Sequence, residues 1–326
     1  MFLMLTAAVM TFGIEYKVGN MIYLSEAQTS KLISHELAYN AVKEAFVAAL
    51  DDKANLFPVV NAEGANPNEM FSLKSASTPE LVGWKTGSYW PENQDKGLPC
   101  HGTNVFLLDP LTGMLQAVIA ATTVNSYRTG AADAVAVNYL ARTDASVLTI
   151  FGTGHQAEYE VLAVSKVRSL TKVLVVGRSV SKTEILVKRL LEKGINAEAC
   201  DAQVACEQAD IIITATTAQA PLFEAQWVQP GTHISAMGAD KVGKQELPTD
   251  LYSHARLFCD FASQSIVIGE FQHSRNTPII EIGQVINESA KGRQSADEVS
   301  IFDSSGIAIQ DLFVAAHILE LSQSGK

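Results

Sequence analysis

Val147-Leu148-Thr149-Ile150-Phe151-Gly152-Thr153-Gly154-His155-Gln156-Ala157 decides the fold. A short apolar strand runs into a glycine-rich turn that opens directly into a helical stretch, the context that separates a dinucleotide-binding turn from a chance G-x-G. Glycines let the backbone approach a pyrophosphate, and the helix that follows offers unpaired N–H groups and the positive end of its dipole. Ala157 takes the place of the third glycine, a small residue where helix and strand touch.

Downstream, strand-like runs alternate with helical ones: Val173 to Val176, a helix from Ser181 to Lys193, then Ile211 to Thr214. This is a βαβαβ unit, and right-handed crossovers make a parallel, doubly wound sheet the expected arrangement. Strands at His233 to Met237 and Leu257 to Cys259 extend it, and Ile307 to Leu321 reads as a last amphipathic helix returning to the first domain. Upstream, Met21 to Leu24 reads as a first strand, with Ser25 capping helical periodicity that reaches Leu50. Strand-like runs at Met70 to Leu73, Leu81 to Tyr89 and Asn104 to Leu108, broken by turn residues, predict an antiparallel sheet in an α+β domain, and a close-packed alanine-rich helix is expected over Thr129 to Leu140.

The chain has 326 residues, 47% of them hydrophobic, which suits two domains. A formal net charge of −11 without a long basic run argues against nucleic acid and for a small-molecule partner. Cys100, Cys200, Cys206 and Cys259 are scattered without a C-x2-C pair, so no metal site or disulfide framework is expected and a reducing cytoplasm fits. Residues 1–20 are read as a tail, Met21 being a candidate natural start; the apolar stretch Met1 to Ile14 falls short of the about 20 residues of a spanning helix and lacks the basic start and cleavage site of a signal peptide.

The second strand of the βαβ unit ends Val176-Gly177-Arg178-Ser179. An NAD-preferring domain usually places a carboxylate there for the ribose 2′-OH; Arg178, with Ser179 and Lys182, instead suits a 2′-phosphate, so the expected cofactor is NADPH, with NADH the alternative. The expected cofactor-binding set is Gly152, Thr153, Gly154, His155, Gln156, Arg178, Ser179, Lys182, Thr214, Ala215, Thr216, Met237, Gly238, Lys244, Ser305 and Gly306.

Three ordered segments carry a more specific signal: Ser126-Tyr127-Arg128-Thr129-Gly130-Ala131-Ala132, Gly238-Ala239-Asp240-Lys241-Val242-Gly243-Lys244-Gln245-Glu246-Leu247, and Phe302-Asp303-Ser304-Ser305-Gly306-Ile307-Ala308-Ile309-Gln310-Asp311. Together they resemble the ornithine cyclodeaminase/mu-crystallin family from about Met21 to the C-terminus. The resemblance implies a Rossmann-type doubly wound domain over 125–304, inserted in a discontinuous α+β substrate-binding and dimerisation domain formed by 21–124 and 305–326. It also implies a homodimer, and hydride exchange with a carbon bearing nitrogen and carboxylate.

By the same resemblance Lys85 and Arg128 bind the substrate carboxylate, Asp240 stands near the reacting nitrogen, and His101 lies on a substrate-facing strand, making Lys85, Asp240 and His101 the candidate catalytic residues. The chain departs from the family at Leu56-Phe57-Pro58-Val59-Val60, which lacks an arginine, and at Lys74, which stands where many relatives have methionine and restores a positive charge as a further substrate-binding residue. The activity expected is NADPH-dependent reduction of a cyclic ketimine acid, Δ1-pyrroline-2-carboxylate to L-proline or piperideine-2-carboxylate to L-pipecolate. The alternatives are ornithine cyclodeamination, amino-acid dehydrogenation, and non-catalytic NADP(H) binding.

Overall fold

The computed structural model describes residues 21–66, 68–274 and 277–324; the tail expected over 1–20 lies outside the described residues. Strand β1 (Ile22–Leu24) leads into α1 (Glu26–Leu32) and α2 (His35–Ala48). Ser25 and Gln28 close a capping box at the start of α1, the reciprocal arrangement that satisfies two otherwise orphaned N–H groups. The chain then lays down β2 (Asn55–Leu56), β3 (Val60–Glu63), β4 (Met70–Ser77), β5 (Val82–Tyr89), β6 (His101–Leu108) and β7 (Leu115–Ala120). These form one sheet in the order β1-β7-β6-β5-β4-β2, with β3 also pairing β4; β1 runs parallel to β7 and the other pairings are antiparallel. The expected antiparallel sheet is therefore present, with β7 and the short edge strands added.

Helix α3 (Thr122–Leu140) joins the two halves. It begins seven residues before the expected Thr129, which corrects the sequence reading. Thr122, Thr123 and Val124 are β-branched and resemble a continuing strand, but the backbone N–H groups of Thr122 and Thr123 donate to the Glu26 carboxylate at 3.0 and 2.7 Å. The cap comes from α1, almost a hundred residues away, and no local pattern reveals it. The early start puts Asn125, Ser126 and Arg128 on a helix whose two sides pack against α2 and the next helix.

The second half alternates as expected: β8 (Val147–Phe151), α4 (His155–Val164), β9 (Lys172–Val176), α5 (Val180–Glu192), β10 (Ala197–Ala199), α6 (Ala202–Gln208), β11 (Ile211–Thr214), β12 (His233–Ala236), β13 (Ala255–Cys259), α7 (Ala262–Ile268), β14 (Ile279–Glu281), α8 (Ile282–Ile286), β15 (Val299–Asp303) and α9 (Ala308–Ser324). All eight strands pair parallel, in the order β10-β9-β8-β11-β12-β15-β13-β14. Central strands such as β8 and β11 are buried on both faces, which explains their continuous apolar runs. The chain reverses its winding between β8 and β11, and the crevice beyond the carboxyl ends of these strands is where doubly wound sheets bind ligands. Helix α9 returns to pack on α2 and on β4, β5 and β6, bringing the last segment of the chain against the first sheet. Among the described residues, no helix is long and apolar enough to cross a membrane, and no cluster of His, Cys, Asp and Glu is grouped to hold a metal ion.

Candidate active site

The turn after β8 has the shape that a dinucleotide needs. Gly152 adopts φ +120°, and a Cβ there would come within 2.6 Å of the Ala215 carbonyl oxygen, so a side chain is excluded both by backbone conformation and by space. Gly154 caps α4, and a Cβ placed on it would meet nothing within 4 Å. Free space in front of uncapped helix N–H groups fits a pyrophosphate. Thr153 lies against Gly177 at the end of β9, and Ala157 is fully buried at the helix–sheet contact. Arg178 follows that strand end, exposed and without a carboxylate partner among the described residues, while Ser179 caps α5 by accepting from the Lys182 N–H at 3.4 Å.

The opposite side of the crevice is organised by a residue that the sequence reading did not single out. Glu246 is fully buried; its Oε2 accepts from the Thr214 hydroxyl at 2.8 Å and the Gly238 N–H at 2.9 Å, and its Oε1 accepts from the Thr216 N–H at 2.7 Å and hydroxyl at 2.6 Å. Thr214, Thr216 and Gly238, three of the expected cofactor residues, are thus tied together by one carboxylate. Thr214 itself is fully buried with its hydroxyl on Glu246, so it holds the loop in place. Burial pushes the Glu246 carboxyl up, opposed by these donors. Met237 and Gly238 follow β12, and Ser305 and Gly306 follow β15, so the expected cofactor residues do converge at the carboxyl ends of neighbouring parallel strands.

Next to this crevice lies a cluster of cations. Lys74 on β4 stands directly opposite Lys85 on β5, on the same face of the sheet. Lys85 Nζ donates to Asn125 Oδ1 at 2.6 Å and to Asp311 Oδ1 at 3.1 Å; Arg128 Nε lies 3.1 Å from the same Oδ1, and its other nitrogens donate to Asn125 Oδ1 (2.8 Å) and Gln310 Oε1 (3.3 Å). Asp311, Gln310 and Asn125 therefore fix the orientation of both expected carboxylate-binding residues. Asp311 Oδ2 has no hydrogen-bond partner. Burial raises the Asp311 carboxyl, but Arg128 and then Lys85 outweigh it and leave it below the usual carboxylate range. Burial, with the Arg128 charge adding to it, pushes the Lys85 ammonium down to about 7.

Lys74 Nζ donates to the carbonyl oxygens of Ser305 at 3.1 Å and Gly306 at 2.8 Å. A Cβ on Gly306 would lie 3.1 Å from Arg128 Nη1 and 3.5 Å from Lys74 Nζ, so the cations meet the sheet end at this glycine. On the other side of α3, Ser126 Oγ lies 3.1 Å from His155 Nε2, and Gln156 donates to the Ser126 carbonyl. The cation cluster and the dinucleotide turn are thereby mechanically joined through one helix.

Asp240 lies at the exposed rim, its carboxylate 2.5 Å from Lys244 Nζ, which also donates to the Gly238 carbonyl. His101 is exposed at the start of β6 and packs on Tyr89 with ring centroids 4.7 Å apart; burial and the neighbouring His155 lower its pKa, which favours the neutral imidazole. Neither Asp240 nor His101 makes a hydrogen bond with Lys74, Lys85 or Arg128. Asp311 closes the third family-like segment and Glu246 lies in the second; a carboxylate directly ahead of the apolar run Leu312-Phe313-Val314 was the available signal for the first.

The fold and the site define a doubly wound α/β protein with a glycine-rich strand-to-helix turn and a cluster of buried cations beside its crevice. The model of the ornithine cyclodeaminase/mu-crystallin family matches residues 19–326, and the chain belongs to that family. It is 35% identical over 311 residues to the iminosuccinate reductase of Paracoccus denitrificans, covering 93% of this chain and 97% of that protein, and 36% identical over 310 residues to the alanine dehydrogenase of Archaeoglobus fulgidus, covering 92% and 94%. The Paracoccus enzyme solved with NAD+ superimposes with a TM-score of 0.87 at 34% identity, covering 94% of this chain and 97% of that one. The Δ1-pyrroline-2-carboxylate reductase of Thermococcus litoralis, solved with NADH and L-proline, does so with a TM-score of 0.85 at 29% identity, covering 94% and 98%.

Proposed function

We propose that this protein reduces 2-imino acids with NADPH as the preferred hydride donor. The observation that carries the reading is the position of Lys85 and Arg128, buried, oriented by Asp311 and Asn125, and joined through α3 to the dinucleotide turn. Arg128 offers a planar fork and Lys85 a point charge to the α-carboxylate, which fixes the imine carbon over the crevice. Asp240 at the rim faces the substrate nitrogen and stabilises its protonated, iminium form. Held at the glycine-rich turn, a reduced nicotinamide would supply the hydride to the imine carbon that Lys85 and Arg128 position; the C=N π pair would pass to the already protonated nitrogen, giving the amino acid and oxidised cofactor. His101, neutral and beside His155, is available as a hydrogen-bond donor at the pocket mouth.

The preference for NADPH rests on Arg178 and on the lack of a carboxylate at the end of β9. The division into 21–124 with 305–326 around 125–304 remains our reading of the domains. Exposed apolar side chains on the first sheet (Val60, Met70 and Phe71) and on its β6–β7 turn (Leu111 and Met114) support a homodimer, and we place the protein in the cytoplasm. Within the substrate class, Δ1-pyrroline-2-carboxylate, giving L-proline, is the first candidate, and piperideine-2-carboxylate the second. The test is cofactor oxidation by purified protein given NADPH or NADH with each cyclic imine, or with pyruvate and ammonia. Oxidation with any of these imines supports the reading; none with any of them, together with proline and ammonia released from ornithine, overturns it in favour of a cyclodeaminase.

A further inference from the structure

Among the described residues the Asp240 carboxylate has one partner, Lys244, and the two side chains are 57% and 20% exposed. An exposed ion pair of this kind contributes little and holds neither side chain in place. The position of the carboxylate is set instead by the backbone turn from Asp240 to Lys244, which the Lys244 N–H closes on the Lys241 carbonyl at 3.2 Å. A Cβ on Gly243 in this turn would meet nothing within 4 Å, so packing does not fix it there.

Hydrogen bonds from the single 3₁₀ turn Glu270–His273, which follows α7, fix it. Gln272 Oε1 accepts from the Gly243 N–H at 2.8 Å, and Nε2 lies 3.3 Å from the carbonyl oxygens of both Lys241 and Lys244 and 2.9 Å from that of Gly269. These partners fix the orientation of the amide, since the reverse would set its oxygen against three oxygens. His273 Nε2 lies 2.7 Å from the Lys244 carbonyl, which can only accept, so this nitrogen carries the proton. Glu270, fully buried, accepts from the Glu246 and Leu247 N–H groups and the Tyr252 hydroxyl, and so holds the stretch whose Glu246 ties Thr214, Thr216 and Gly238 together. One short turn of chain thus divides its side chains: Glu270 serves the cofactor loop, and Gln272 and His273 serve the turn that bears Asp240.

We propose that Gln272 is a positioning residue, which sets the Asp240 turn so that its carboxylate faces the imine nitrogen and does so independently of cofactor binding. The proposal rests on the imine-reductase reading above and on the part of Asp240 in it. Gln272 touches the Asp240 side chain nowhere; it acts through the Gly243 and Lys244 backbone, and Lys244 Nζ passes the constraint to the carboxylate. Without the amide, one N–H and two carbonyls of the turn are left to water and the exposed ion pair moves with them, and a misplacement of about 1 Å is enough to cost about a hundredfold in rate. The cofactor loop keeps its own hydrogen bonds to Glu246, so the loss falls on kcat.

The test compares Gln272→Ala and Asp240→Asn, singly and combined, with NADPH and the imine that the wild-type protein uses best. Gln272→Ala lowers kcat about tenfold or more and leaves KM for NADPH within about twofold of wild type. Added to Asp240→Asn it lowers kcat by less than about twofold, because no acid is left to position, whereas a merely structural role costs the same in both backgrounds. In a parallel measurement without substrate, amide hydrogen exchange in the peptide 239–245 becomes at least about threefold faster in Gln272→Ala, while peptides of β8 and β12 exchange as in wild type. Unchanged exchange in 239–245, equal losses of kcat in both backgrounds, or near-wild-type kcat in Asp240→Asn overturns the proposal while leaving imine reduction intact. Where Asp240→Asn retains no measurable turnover, a raised KM for NADPH with unchanged kcat in Gln272→Ala overturns it. If the wild-type protein reduces no imine, the functional reading fails, and exchange alone then judges the anchor: faster exchange confined to 239–245 upholds it, and unchanged exchange overturns it.

Discussion

Replacing Asp311 with asparagine keeps the side-chain shape and removes the charge that Lys85 and Arg128 share. Both cations lie 3.1 Å from Oδ1, and unit charges at such a separation attract by about 5 kcal/mol at an effective dielectric near 20. Desolvating the buried carboxylate costs several kcal/mol in the opposite direction, so the net loss is about 3–5 kcal/mol, typical of breaking a buried pair. Lys85 makes that loss depend on pH. Its ammonium already titrates at about 7, pushed down by burial and Arg128 against the pull of Asp311. Without the carboxylate it falls further, whereas an unfolded lysine titrates at about 10.4.

Between the folded and unfolded values the unfolded chain binds more protons, so stability rises with pH across that window. In Asp311→Asn the window extends to lower pH, and the deficit relative to wild type is therefore largest near pH 6 and smaller near pH 9. Urea unfolding followed by tryptophan fluorescence at the two pH values measures it. A variant within about 1 kcal/mol of wild type at both pH values would refute the counter-ion role, because surface substitutions have effects of that size or less.

Other perturbations read other parts of the site. Arg178→Ser removes a charge-assisted contact worth about 1.5–3 kcal/mol, so KM for NADPH rises roughly tenfold to a hundredfold while that for NADH changes little; equal changes for both cofactors contradict the 2′-phosphate contact. Gly152→Ala meets both the positive φ and the Ala215 carbonyl, and loses cofactor affinity in fluorescence titration; unaltered affinity means that the turn does not cradle the pyrophosphate. In wild type, kcat/KM falls as pH rises past about 7 and Lys85 loses its charge, and Lys85→Arg moves that limb upward because a guanidinium stays protonated; an unshifted limb assigns it to another group.

The strand–turn–helix around Gly152 and the alternation that follows it were legible in the sequence because each depends on local periodicity. The insertion of β15 between β12 and β13 was not, since strand order is set by pairings between residues far apart in the chain. The start of α3 was hidden for a related reason: its cap is the side chain of Glu26. Lys85, Arg128 and Lys74 were readable as a cation set, and the structure brings them together. The acids that arrange the site, Asp311 and Glu246, were passed over, because a carboxylate that orients other groups leaves no spacing pattern of its own. Asp240 and His101 are exposed near strand ends, where register, and not periodicity, fixes what they face.

Transfer of label from NADPH deuterated at C4 of the nicotinamide tests the central claim most directly, with the amino acid formed from each imine analysed by mass spectrometry. The account predicts one deuterium at the α-carbon and one cofactor oxidised for each amino acid formed. Product without deuterium, or cofactor that binds and is never oxidised by any imine offered, contradicts it.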